Sequence, residues 1–282
     1  MILDGHVHIR GGKEDRAEFL GRLASAGIDG ALVIAGVPPT VCNADGADTA
    51  AERLDKLFFW TDGHPDLYPF FWIDPIQDSA LEQVGMAVER GAMGFKIMCA
   101  RFYPRDERAM RTVQAIAHAG KPILFHSGIL WDGMDSTRFN RPGEFEALAA
   151  ISGLRFCLAH VSWPWYDECI GVFGKFLATA QNAEMFIDVT PGTPRIYREE
   201  VLRKLFTVGY DVEHSIIFGT DGQTNDYNAS WAREWIDRDT QIYSELALGD
   251  ETVDNVFAEN LRRFVGVSEA PAAEKRRPKV GE

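Results

Sequence analysis

The chain has 282 residues, of which 46% are hydrophobic and 25% charged, a balance that excludes fibrous and disordered classes for most of its length. Its 29 basic and 42 acidic residues leave a formal charge of −13, which argues against non-specific binding to nucleic acid or to an anionic membrane surface. An anionic small molecule is not excluded, because a metal can make a pocket locally positive.

Eight short apolar runs follow one another along the chain: Ile2–Ile9, Gly30–Ala35, Leu67–Ile73, Ala92–Met98, Pro122–His126, Arg155–Val161, Met185–Val189 and Ser215–Asp221. Most are rich in Ile, Val, Leu and Phe with little alternation, as expected of strands buried on both faces of a parallel sheet. Segments between them have helical periodicity, among them Lys13–Ala26, Ala80–Arg90, Asp106–Ala119 and Glu199–Val208. Strand and helix are thus expected to alternate eight times, and Asp226–Leu248 and Glu251–Val265 add two helices after the last strand. This order predicts an α/β fold, a (β/α)8 TIM barrel with extra C-terminal helices over residues 1–266, in preference to an open doubly wound sheet. Residues 267–282, rich in Ala, Pro, Glu, Lys and Arg, are expected to form a disordered tail.

Cys42, Cys99, Cys157 and Cys169 show no close spacing and read as reduced thiols. The start of the chain has neither the basic nor the apolar region of a secretory signal, and no apolar run approaches the roughly 20 residues of a membrane span. A cytoplasmic location is the expectation.

The chemistry is concentrated at strand ends. On a strand, His6 and His8 project to the same face with Cα atoms about 6.6 Å apart, and both ring nitrogens can converge on one ion about 2.0–2.1 Å away. His126, His160 and Asp221 each close an apolar run and precede a loop of small or polar residues. In a barrel all of these ends open on one rim, where barrel active sites lie. Burying several such groups side by side without a metal would be costly, which points to a divalent-metal site. Lys96 lies within the fourth strand, where it is uncharged, carbamylated to a bridging carboxylate, or turned toward an acid or substrate. Arg101, Trp131, Trp163 and Trp165 follow strands and are candidate pocket walls. His64, His118 and His214 lack this setting and read as structural or surface residues.

The set Asp4-Gly5-His6-Val7-His8, Gly94-Phe95-Lys96-Ile97, Pro122–Ser127, Leu158-Ala159-His160, Phe218–Gly222 and Asn260–Phe264 resembles, in order, the amidohydrolase superfamily. Within it, the match is to the amidohydrolase-related (amidohydrolase 2) branch of metal-dependent TIM-barrel hydrolases, which includes lactone hydrolases and decarboxylases. The resemblance implies His6, His8, His126 and Asp221 as ligands of a divalent metal, most readily Zn2+, with one ion favoured over two. It places His160 beside the substrate and Lys96 where two-metal members carry a carbamylated lysine, so Lys96 and His160 are candidates for a second metal or for substrate. The implied activity is hydrolysis of a carbonyl substrate of lactone, ester or amide type, with Asp221 or His160 taking the proton of an activated water. Two other readings are decarboxylation of an unsaturated carboxylic acid and a catalytically silent barrel that binds or scaffolds. The expected partner is a small-molecule substrate, and a homodimer is the default assembly.

Overall fold

Leu3–His8 forms the first strand, β1, and every residue of it is buried. A computed structural model describes residues 1–42, 48–178, 183–192 and 194–268; most of the expected tail, residues 269–282, and the side chain of Cys42 lie outside them. Around β1 run β2 (Gly30–Ile34), β3 (Leu67–Trp72), β4 (Gly94–Ile97), β5 (Ile123–Phe125), β6 (Arg155–Leu158), β7 (Glu184–Asp188), β8 (Ile216–Ile217) and β9 (Gly222–Gln223). All pairings are parallel, in the order β8-β7-β6-β5-β4-β3-β2-β1-β9.

The pieces β8 and β9 are two ends of the eighth strand, expected as one run over Ser215–Asp221. It closes the ring against β1: Gly5 N–H donates to the Phe218 carbonyl at 2.9 Å, and Val7 pairs with Gly222. The run is broken because the Asp4 carboxylate takes the Thr220 amide at 2.9 Å and Asp221 turns to φ +56°. The close approach requires glycine at position 5, where a Cβ would sit 2.5 Å from Ile217 Cγ2 and 2.7 Å from the Phe218 carbonyl oxygen.

Side-chain alternation separates two apolar layers. Val7, Ala31, Val33, Phe71, Phe95, Ile97 and Ile187 face outward to the helices, whereas Leu3, Leu32, Ile34, Phe70, Leu124, Cys157 and Phe186 fill the barrel. The outer layer is covered by α1 (Arg16–Ala26), α2 (Pro39–Cys42), α3 (Ala50–Thr61), α4 (Ala80–Glu89), α5 (Glu107–His118), α6 (Tyr166–Ala178), α7 (Arg198–Thr207) and α8 (Ala229–Glu245). Their starts follow local chemistry: Asp15 and Asp106 cap α1 and α5, and Thr49 with Glu52 forms a capping box on α3.

The expected eightfold strand–helix alternation fails once. Between β5 and β6 the chain makes two 3-10 segments, Thr137–Asn140 and Pro142–Ala150. Gly143, early in the second segment, has weak helix propensity, and its amide is taken at 3.0 Å by Glu168 of α6. The last expected helix, Glu251–Val265, is α9 (Asp250–Asp254) and α10 (Asn260–Val265) joined by a π-helical turn at Asn255–Glu259. Its far end plugs the bottom of the barrel, where the Phe264 ring packs 5.9 Å from Phe70 and 5.1 Å from Phe186 between centroids. The opposite rim is left open. Among the described residues no helix is long and apolar enough to cross a membrane. Cys99, Cys157 and Cys169 are buried free thiols.

Candidate functional site

Strand β1 points His6 and His8 inward, opposite to Val7, while Asp4 precedes a register shift and pairs with the outward-facing Ala31. His6 is fully buried, and its Nε2 lies 3.1 Å from His8 Nε2. The left-handed turn at Asp221 swings its carboxylate over the pair, 3.3 Å from His8 Nε2 and 3.8 Å from His6 Nε2. The three donor atoms lie within 4.8 Å of one another. Four ligands around zinc at 2.0–2.1 Å stand about 3.3–3.4 Å apart at tetrahedral angles. The observed edges of 3.1, 3.3 and 3.8 Å fit one such cation.

The tautomer of His6 is fixed from behind. Asp188, buried at the end of β7, accepts from His6 Nδ1 at 2.8 Å, which leaves Nε2 with its lone pair toward the cluster. The same carboxylate accepts the amides of His160 and Thr190, each at 2.9 Å, and the Thr190 hydroxyl. A hydroxyl has one proton, so Thr190 Oγ1, having given it to Asp188, accepts from His160 Nδ1 at 2.9 Å. His160 therefore carries its proton on Nδ1 and keeps Nε2 free. Its ring stacks 5.2 Å from His6 and stands 5.1 Å from His126. To present it, the chain after β6 holds His160, Val161 and Ser162 at φ 60°, 43° and 57°. For a β-branched valine this is strained by about 1–3 kcal/mol, a concentration typical of functional sites.

Burial decides the charges. It pushes His6 down to about 3, helped by Lys96 and opposed by Asp188, and lowers His8 and His126 as well. All three are neutral imidazoles at pH 7, the form that binds metals. Burial would raise Asp188 and Asp221, but the histidines around them outweigh it and hold both carboxyls below the usual range. Lys96, buried with Nζ 3.3 Å from His6 Nε2, is pushed down to about 8 by burial despite Asp188 and Asp221. Asp4, which accepts from the Thr220 amide and hydroxyl and from Tyr227, is raised to about 6 by burial.

These groups floor a cavity of about 330 Å³ on the open rim. The expected His6, His8, Lys96, His126, His160, Asp221, Trp131 and Trp163 all line it. His126 stands apart from the three-donor cluster: its Nε2 meets the Ile129 carbonyl at 3.2 Å. Two expectations are corrected. Arg101 is drawn out of the pocket by the buried Asp74 carboxylate and the Thr40 carbonyl, and Trp165 lies under the Arg141 guanidinium, 5.2 Å away. His64 and His214 serve backbone and side-chain contacts elsewhere. Asp188, Arg10 and Trp72 belong to the site without having been expected there. An acid inside the apolar run Met185–Val189, in the inward register of Phe186, was the available signal for Asp188.

The amidohydrolase family model Amidohydro_2 matches residues 4–267. The chain belongs to this family. Solved structures similar to this amidohydrolase share its fold at low identity. A probable 2-pyrone-4,6-dicarboxylic acid hydrolase from Acinetobacter baumannii aligns with TM-score 0.60 and 10% identity over 94% of this chain and 99% of its own. A zinc-bound amidohydrolase from Burkholderia multivorans gives 0.64 and 11% over 94% and 99%. A 2,6-dihydroxybenzoate decarboxylase from Rhizobium gives 0.62 and 13% over 94% and 98%. No curated protein matches the chain.

Proposed function

We propose that this amidohydrolase is a metal-dependent hydrolase that directs water onto the carbonyl of a lactone, ester or amide. The observation that carries the reading is the convergence of His6 Nε2, His8 Nε2 and the Asp221 carboxylate within 4.8 Å, with His6 oriented by Asp188. One divalent ion, most readily zinc, would be held by His6, His8 and Asp221, with His126 completing the set when it releases the Ile129 carbonyl. Such an ion polarises a carbonyl and brings the pKa of water toward about 7. Asp221, 37% exposed at the pocket floor and ionised, would serve as the base toward such a water. His160, protonated on Nδ1 with Nε2 free, receives that proton and returns it to the leaving oxygen or nitrogen.

The apolar walls supplied by Trp72, Trp131 and Trp163 also suit a planar unsaturated acid, and on such a substrate His160 would first take a proton from solvent on its free Nε2 and deliver it to carbon before CO2 leaves. Incubation of the zinc-loaded protein with a panel of lactones and unsaturated carboxylic acids separates the two. Acid release without CO2 supports hydrolysis, and CO2 release supports decarboxylation. A protein that takes up no metal would instead be a silent barrel.

A further inference from the structure

We infer that Arg10 is the substrate-recognition residue of this pocket, and that the substrate carries a carboxylate set away from its reacting carbonyl. The inference rests on the hydrolase reading above and names its substrate class. The inward register of β1 continues past the strand: Ile9 N–H donates to the Ile34 carbonyl at 2.8 Å and the Ile9 side chain is buried in the outer layer. Arg10 is therefore the next residue on the face of His6 and His8, about 6.6 Å of backbone beyond His8. It lines the same cavity and is exposed, whereas His6, His8 and Lys96 are buried at the floor. The backbone after it is held in place by Asn225 Nδ2, which donates to the Gly11 carbonyl at 2.9 Å.

Among the described residues no carboxylate or carbonyl engages the Arg10 guanidinium. Arginines on the loops after other strands are spent: Arg101 on Asp74, Arg141 on Glu168 and Arg195 on Glu234. In a chain of formal charge −13 an acidic substrate is repelled at long range and needs a local cation. A guanidinium at the rim, matched to carboxylate by its forked donors, provides one. The walls of the same cavity carry Val37, Trp72, Met98 and Trp131, together with Asp132, whose carboxylate takes the Ser136 hydroxyl at 2.6 Å. The pocket thus orders three chemistries along its depth: a carbonyl at the floor, an apolar body, a carboxylate at the mouth.

The test is isothermal titration of zinc-loaded protein with 4-acetylbenzoate and with 4-acetylbenzamide, which differ in charge at one end. The acid is expected to bind at least about tenfold more tightly than the amide, the range of a charge-assisted hydrogen bond. Arg10→Gln should bring the acid to within about twofold of the amide and leave the amide's affinity unchanged, while Arg10→Lys should recover part of the preference. Equal binding of acid and amide by the native protein overturns the inference, as does an acid preference that survives in Arg10→Gln or no binding of either probe. Zinc content of the same samples keeps the two readings apart. A native protein without zinc sinks the hydrolase reading, whereas a zinc-loaded protein without an Arg10-dependent preference sinks this one alone.

Discussion

Replacing Asp188 by Asn keeps the shape of the side chain and removes its charge, and its consequence can be worked from the hydrogen bonds it serves. One carboxylate oxygen takes His6 Nδ1–H at 2.8 Å, and the other takes the amides of His160 and Thr190 at 2.9 Å and the Thr190 hydroxyl. An asparagine oxygen can replace only one of these two faces. The amides and the hydroxyl demand the acceptor, so the asparagine NH2 faces His6 Nδ1 and forces that nitrogen to accept. The proton moves to Nε2, which can then no longer donate a lone pair to a metal. Loss of such an outer partner costs about 10–100-fold in metal affinity, or about 1.4–2.8 kcal/mol at about 1.4 kcal/mol per tenfold. Zinc affinity measured by competition with a chromophoric chelator should fall by that factor, while the apo protein retains its circular dichroism. Zinc affinity within twofold of the native value would refute the assignment of Asp188 as the group that orients His6.

Three further outcomes follow from the same structure. Lys96 titrates near 8 when folded and 10.5 when unfolded, so the unfolded chain holds the extra proton between those pH values and stability of the apo protein should rise through that window. Below about pH 8 the full penalty applies, and Lys96→Met should stabilise by up to about 3 kcal/mol in denaturant titrations at pH 7, with the gain gone near pH 10.5; an equal gain at both pH values would contradict the buried-amine assignment. Gly5→Ala places a methyl 2.5 Å from Ile217 Cγ2 and should cost about 1–3 kcal/mol in thermal melts, whereas an unchanged melting temperature would mean that the eighth strand does not close on β1 there. Arg101→Ala should leave the affinity for 4-acetylbenzoate unchanged in the titration that Arg10→Gln impairs, because Arg101 is held by Asp74 outside the pocket.

The elements that were legible in the sequence are those decided by local pattern. Apolar runs bounded by loops located every strand of the barrel, and period-2 alternation put His6 and His8 on one face with Val7 on the other. Helix starts at Asp15, Thr49 and Asp106 are local capping chemistry. What could not be read depends on partners distant in sequence. Arg101 follows a strand as a pocket residue would, yet Asp74, 27 positions earlier, draws it away. The eighth strand breaks because Asp4, 216 residues before Thr220, captures its amide. The 3-10 connection before β6 is tied at the Gly143 amide to Glu168, from the helix that follows β6. Asp188 was hidden for a different reason: an acid inside an apolar strand reads as an irregularity until His6 is seen against it.

The most direct measurement is metal content after exhaustive dialysis of the native chain, His8→Ala and Asp221→Ala, each refolded or purified in the presence of zinc. About one equivalent per chain in the native protein, lost in both variants with secondary structure intact, is the predicted result. A native chain that retains no ion, or variants that retain it undiminished, would contradict the convergence of these donors on a single cation.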